Sequence, residues 1–240
     1  MAKHFVTTMN KKLFDQYGKD LLVSYMNTKQ KYPIYVYVED DIQKYPIIQN
    51  VIYVDLWKEE PECKKFVERN KYKEVPSFMF DAVRFSYKVF AQCNASKHGG
   101  KMYYVDADSV FLKTMEDDVL ELLLPDDVSV SFYYRENTYT ETGFIGFNMN
   151  HNVMPSFIDY YRNTYINDEV YKMQHYTDCH SFDRTRKFGS TKDGYIEKRL
   201  GDGKPLHIMA RCKIIHDYLD HRKGKRKNLK HSPEWLRERS

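Results

Sequence analysis

Nowhere in the 240 residues does an apolar run approach the roughly 20 residues that a membrane-crossing helix needs. The first ten residues, Met1 to Asn10, hold no apolar stretch long enough for a secretory signal. A soluble, cytoplasmic protein is expected, with no membrane span. Cysteine is scarce: Cys63, Cys93, Cys179 and Cys212 are the only four, and none stands in Cys-x-x-Cys spacing. That spacing argues against a zinc site or a disulfide framework and for reduced thiols. No internal repeat, low-complexity linker or compositional break divides the chain. The net charge of +4 is too small to imply nucleic acid by itself.

Aromatic residues are abundant at 15%, mostly tyrosine, which suits a sheet-rich core and a groove that stacks planar ligands. Residues 4–8, Ile34–Val38 and Val51–Asp55 read as strands, and Leu13, Tyr17, Leu21, Leu22 and Tyr25 give residues 11–29 a helical stripe. Strand, helix, strand, short link, strand is the rhythm of a mostly parallel α/β sheet. Pro61 opens a short helix through residue 71. Ser77 is placed to cap a helix over 78–96 with Phe80, Val83, Tyr87 and Phe90 inward. Arg84 and Lys88 lie four apart on a neighbouring face, read either as solvated charges or as cations leaning over a cleft. Further strands are expected at Val128–Tyr133 and through Gly143–Asn148, and helices at Glu116–Leu124, Pro155–Tyr165 and 176–187. Gly143 and Gly146 suggest a strand whose backbone is approached closely, by a ligand or by a crossing helix. Residues 189–204 read as loop, and Leu206–Met209 and Lys213–His216 as short strands.

Chemistry concentrates at two places. Met102-Tyr103-Tyr104-Val105 reads as a buried strand, and Asp106 and Asp108 arrive where it ends. A buried carboxylate without a partner is costly, so packing does not explain them there. The carboxyl ends of strands in an open α/β sheet are where ligands bind. Two such carboxylates suit an oxygen-preferring divalent cation, Mg²⁺ or Mn²⁺, which in turn suits a diphosphate. As a simpler alternative, the pair caps the following turn. Near the other end, the basic stretch from Asp220 contains His221-x-x-Gly224-x-x-Lys227. A neutral imidazole can complete a metal shell begun by carboxylates. A glycine N–H can approach a phosphate closely, and a lysine beyond it adds charge. The competing account is a solvated basic segment or a nucleic-acid patch.

Asp106-x-Asp108 at a strand end, followed by His221-x-x-Gly224-x-x-Lys227 in that order, resembles the GT-A fold nucleotide-sugar glycosyltransferases, most of all the glycogenin-like and bacterial galactosyltransferase-like retaining group. The resemblance implies an α/β, GT-A (Rossmann-like) fold with a mostly parallel central sheet flanked by helices. It implies a catalytic domain over residues 1–220 and a basic segment over 221–240 that closes over the donor site. By the same resemblance, Asp106 faces the donor ribose and metal, Asp108 and His221 complete the Mn²⁺ or Mg²⁺ site, and Gly224 and Lys227 hold the diphosphate. Phe5, Val6, Thr7, Thr8 and Asn10 fall where the family's first strand holds the nucleotide. Arg84 and Lys88 fall where a basic residue reaches the donor. Asp178 falls near the donor sugar, where the group carries an Asp–Gln pair; here Cys179 replaces the Gln.

The implied function is transfer of a sugar from a nucleotide-diphosphate sugar, a UDP-sugar favoured, to a carbohydrate or other hydroxyl acceptor. If the reaction inverts, Asp178 is the first candidate for the base, Glu141 the second and Asp183 the third. If it retains, Asp178 orients the sugar. One rival enzyme is a sugar nucleotidyltransferase, but Thr7-Thr8-Met9-Asn10-Lys11 offers no glycine for its phosphate loop. A rival of another class is a non-catalytic nucleic-acid-binding protein using the basic tail, which leaves the two Asp residues unexplained.

Overall fold

A computed structural model of the chain describes residues 1–204, 208–222 and 224. Of the expected closing segment, residue 223 and residues 225–240, Lys227 among them, lie outside the described residues, as do Leu206 and His207. The strands are β1 (Lys3–Met9), β2 (Ile34–Val38), β3 (Val51–Asp55), β4 (Lys101–Val105), β5 (Ser109–Phe111), β6 (Val130–Arg135), β7 (Glu141–Asn148), β8 (Glu197–Gly203) and β9 (Leu219–His221). The helices are α1 (Lys11–Leu13), α2 (Lys19–Asn27), α3 (Leu56–Glu59), α4 (Pro61–Asn70), α5 (Ala82–Ala95), α6 (Asp117–Leu123), α7 (Met154–Ile166), α8 (Asp178–Gly189) and α9 (Ile208–Arg211).

Seven strands form the central sheet in the order β3-β2-β1-β4-β7-β6-β8. β1, β2, β3 and β4 run parallel. β7 runs antiparallel between β4 and β6, and β8 returns parallel to β6. The expected mostly parallel α/β sheet is therefore present. Its inner strands β1, β2, β4, β6 and β7 are buried at nearly every position because both faces are covered. Neighbouring residues point to opposite faces: Phe5, Tyr103 and Phe144 join one core layer with Leu21, Leu22 and Leu120. Val6, Tyr104 and Ile145 join the other with Phe90, Phe157 and Phe182.

Several local expectations are corrected. Residues 197–203 form β8, not a loop. This strand pairs along one side only, so among Glu197–Gly203 just Leu200 and Gly203 are buried and the polar remainder faces water. Ile208–Arg211 is helical rather than extended, and 213–216 is a series of turns. The first helical stretch is interrupted by a π-turn over Phe14–Gly18. The helix expected from residue 78 begins at Ala82, because Asp81, not Ser77, caps it by accepting from the Arg84 N–H at 3.0 Å. No helix among the described residues is long and apolar enough to cross a membrane. The four cysteines are free thiols.

Candidate metal and donor site

The parallel strands deliver their carboxyl ends to one edge of the sheet. After β4 the chain turns sharply: the Asp106 N–H donates to the Gly143 carbonyl at 2.9 Å, and the Ser109 N–H to the Asp106 carbonyl at 3.0 Å. β5 then pairs antiparallel with β9, setting Ser109 opposite His221. The Arg222 N–H closes onto the Asp108 carbonyl at 2.9 Å. This small ribbon brings together two segments 113 residues apart in the chain, with His221 Nε2 3.0 Å from Asp108 Oδ1. The same nitrogen lies 3.6 Å from Asp106 Oδ2. One ligand atom from each of Asp106, Asp108 and His221 falls within 4.8 Å of the others. Two carboxylate oxygens and one imidazole nitrogen are a donor set that fits Mn²⁺ or Mg²⁺. Burial alone would lower the His221 proton affinity, but the Asp108 carboxylate reverses this and the imidazole sits above its ordinary range.

β7 supplies the wall against which His221 lies. A Cβ on Gly143 would stand 2.7 Å from His221 Cε1, and one on Gly146 would stand 2.5 Å from Ser131 Oγ. Gly143 thus admits His221 and Met209 of α9, and Gly146 admits Ser131 and Leu124 at the end of α6.

Lys88 forms the floor. Its ammonium donates to Asp106 Oδ1 and to the Thr142 carbonyl, each at 2.8 Å, and lies 2.8 Å from Asp178 Oδ2. The reading of Lys88 as a solvated charge is thus wrong: it is 9% exposed, whereas Arg84, one turn earlier, is open to solvent. Desolvation would strip the Lys88 proton, but the Asp106 and Asp178 carboxylates outweigh it and hold the amine firmly protonated. Burial also works against Asp178, which is 4% exposed, yet Lys88 and the Thr142 hydroxyl keep its carboxyl below the usual range. Thr142 Oγ1 donates to Asp178 Oδ2 at 2.5 Å. Thr177 caps α8, and that cap places Asp178 in the first turn. Glu141 is held by Arg135 at 3.3 Å and accepts from the Gly143 N–H at 3.3 Å.

These groups share one cleft of about 480 Å³, lined by Thr8, Tyr17, Glu39, Arg84, Lys88, Asp106, Asp108, Glu141, Asp178, His221 and Gly224, among others. Gly224 has φ +64°, in the left-handed region that favours glycine. The other described candidates lie outside the lining of this cleft. Thr7 is fully buried in the sheet, because alternation turns it away from the edge where Thr8 stands. Phe5 and Val6 likewise belong to the two cores. Asn10 does not line the cleft; its side chain caps α1 and donates to Glu39 at 3.3 Å. Asp183 faces a different surface hollow, tied to Thr140 and Arg186.

Thr142 and Glu39 escaped the sequence reading as site residues. Thr142 is one position from the candidate Glu141, and nothing in a β-strand threonine marks it. Glu39 ends a strand as Asp106 does, a signal that was visible but shared with other strands. Burial pushes its carboxyl up to about 7, opposed by the Asn10 hydrogen bond and reinforced by Asp40.

Comparison with solved structures shows the same architecture in mouse xyloside xylosyltransferase 1, with a TM-score of 0.51 and 11% identity over 84% of this chain and 86% of that one. The bifunctional glycosyltransferase WbbM matches with a TM-score of 0.53 and 12% identity over 99% of this chain. The chain shares the fold of these two proteins. It spans 44% of WbbM, somewhat less than half of that protein. No protein-family model matches the sequence, and no curated protein does.

Proposed function

We propose that the chain is a GT-A-type glycosyltransferase of the glycogenin-like and bacterial galactosyltransferase-like group, dependent on Mn²⁺ or Mg²⁺ and using a nucleotide-diphosphate sugar, a UDP-sugar first, as donor. The observation that carries this reading is the meeting of Asp106, Asp108 and His221 at the carboxyl edge of the sheet, inside a cleft large enough for a nucleotide sugar. Asp106, Asp108 and His221 would hold the cation. When bound, the cation supplies Lewis-acid stabilisation of the charge growing on the departing diphosphate. Gly224, which lines the same cleft, would offer a backbone N–H to the diphosphate; the diphosphate role of Lys227 and the closing role of the segment rest on the sequence resemblance alone.

In the transfer, the bond from the anomeric carbon to the phosphate oxygen breaks and a bond to the acceptor oxygen forms, while the acceptor hydroxyl gives up its proton. Asp178 is ill-suited to take that proton. Its Oδ2 is occupied by Lys88 and Thr142, and its proton affinity is depressed. Glu141 is tied to Arg135 and to the Gly143 N–H. Asp178 is assigned instead to orienting the donor sugar together with Lys88. With both carboxylates engaged, the departing phosphate is the better proton acceptor, which corresponds to retention of anomeric configuration.

The test is a thermal-shift and hydrolysis screen of UDP-, GDP- and dTDP-sugars with and without Mn²⁺. A Mn²⁺-dependent response to one nucleotide class supports the reading. Absence of any response, with the protein folded, contradicts it.

A further inference from the structure

We infer that His175 and His180 form a metal site of their own, apart from Asp106, Asp108 and His221, for a divalent cation that prefers imidazole, Zn²⁺ first. The inference does not rest on the donor reading, and no ligand is shared with the candidate donor site. The two rings come from different local structures. Residues 173–176 follow a 3₁₀ turn over Glu169–Lys172, and the Tyr176 N–H pins that link to the Met79 carbonyl at 2.8 Å. Thr177 then caps α8 and places His180 in its first turn.

His175 Nδ1 and His180 Nε2 lie 3.1 Å apart, and the two ring centroids lie 4.8 Å apart. Together these distances say where the nitrogens point. The centre of an imidazole lies about 1.2 Å behind each nitrogen, so two rings aimed straight at each other through a shared proton would have centroids about 5.4 Å apart at this separation. Two nitrogens that converge on one ion through bonds of about 2.05 Å would instead have centroids about 4.8 Å apart, with an angle of about 98° at the ion. The observed separation matches convergence.

The surroundings agree. His180 Nδ1 lies 2.8 Å from Thr177 Oγ1, and such an anchor on the second ring nitrogen is what orients a metal-bound histidine. Phe80 flanks the His175 ring at 5.4 Å and Tyr139 the His180 ring at 4.8 Å. Cys179 turns its thiol to Thr142 at 3.1 Å, and Asp183 is tied to Thr140 and Arg186. Among the described residues the pair therefore supplies two ligands, against the three of Asp106, Asp108 and His221. Both rings are half-buried, so water can complete the shell. Two imidazoles without a carboxylate favour Zn²⁺ over Mn²⁺ and Mg²⁺. The ion would tie the link before α8 to its first turn and so brace Thr177 and Asp178, which line the cleft.

The experiment is calorimetric titration of Zn²⁺ into the full-length His221→Ala chain, which lacks the imidazole of the other cluster, and into the same chain carrying His175→Ala or His180→Ala as well. Thermal melting without metal checks that each variant folds. His175 lies outside α8, so His175→Ala decides the question if His180→Ala fails to fold. The expected result is a single Zn²⁺ bound by His221→Ala, with affinity lowered about tenfold or more by either added alanine. Zn²⁺ should also raise Tm in His221→Ala, and that rise should disappear with either added alanine. No Zn²⁺ binding by His221→Ala, or unchanged affinity after His175→Ala is added, overturns the site and leaves the contact as a hydrogen bond between two imidazoles.

Discussion

Replacing Lys88 by Met keeps the reach of the side chain and removes its charge. Two carboxylates then face each other without the ammonium that lies 2.8 Å from each. They are not equally affected. The Asp106 side chain is 27% exposed and can turn to water, whereas that of Asp178 is 5% exposed and cannot. Breaking one side of a buried ion pair costs about 3–5 kcal/mol, chiefly through the charge left behind. In a chain of this size each kcal/mol lowers Tm by about 2–4 °C, so Lys88→Met should melt roughly 10 °C below wild type. The double variant Lys88→Met/Asp178→Asn removes the stranded charge and keeps a partner for the Thr142 hydroxyl. It should regain most of the loss, a coupling of about 2 kcal/mol or more. Urea unfolding of the wild type, both single variants and the double variant gives the cycle directly. A Lys88→Met protein within about 1 kcal/mol of wild type, or a double variant no more stable than Lys88→Met, refutes the reasoning that burial of Asp178 depends on Lys88.

Three further outcomes follow from particular contacts. Gly143→Ala places a methyl 2.7 Å from His221 Cε1 and 3.0 Å from Met209 Cε, so the imidazole must shift; Mn²⁺ affinity by calorimetry should fall about 10- to 100-fold with the fold retained. Glu39 holds its proton more tightly when folded, so its own contribution to stability should be fully present below its ordinary value of 4.5 and be lost as pH rises through about 7. Glu39→Gln should flatten that span of the profile and gain up to about 3 kcal/mol at pH 8, and an unchanged urea midpoint there would count against a buried, charge-averse carboxyl. Product NMR should show the anomeric configuration of the donor preserved; an inverted product would mean that Glu141 or Asp178 is released from its ion pair to act as base.

Much of the central sheet was legible because β1, β2, β3, β4 and β7 combine β-branched or aromatic residues with clear stops. β8 was not, because six polar or glycine residues surround Leu200, and a strand paired on one side needs little apolar character. The order of the candidate ligands Asp106, Asp108 and His221 was readable from the two motifs taken together; a carboxylate at a strand end alone was not enough, since Asp55 ends β3 as the cap of α3. The mode of their meeting was hidden, since β9 is three residues long and β5 no longer. Lys88 shows the limit most clearly. Helical periodicity puts it one turn from Arg84 on the same face, yet Arg84 meets solvent and Lys88 meets Asp106 and Asp178. Only the three-dimensional placement of α5 over the sheet edge separates them. Thr7 and Thr8 differ for a related reason: strand alternation says they face opposite ways, but not which one faces the cleft.

The most direct test of the central claim is Mn²⁺ binding followed by electron paramagnetic resonance on the wild type, Asp108→Asn and His221→Ala, with UDP present and absent. The account predicts one Mn²⁺ bound by the wild type, tighter with UDP, and binding lost in both variants while thermal melting shows them folded. Equal Mn²⁺ binding in wild type and His221→Ala would contradict it.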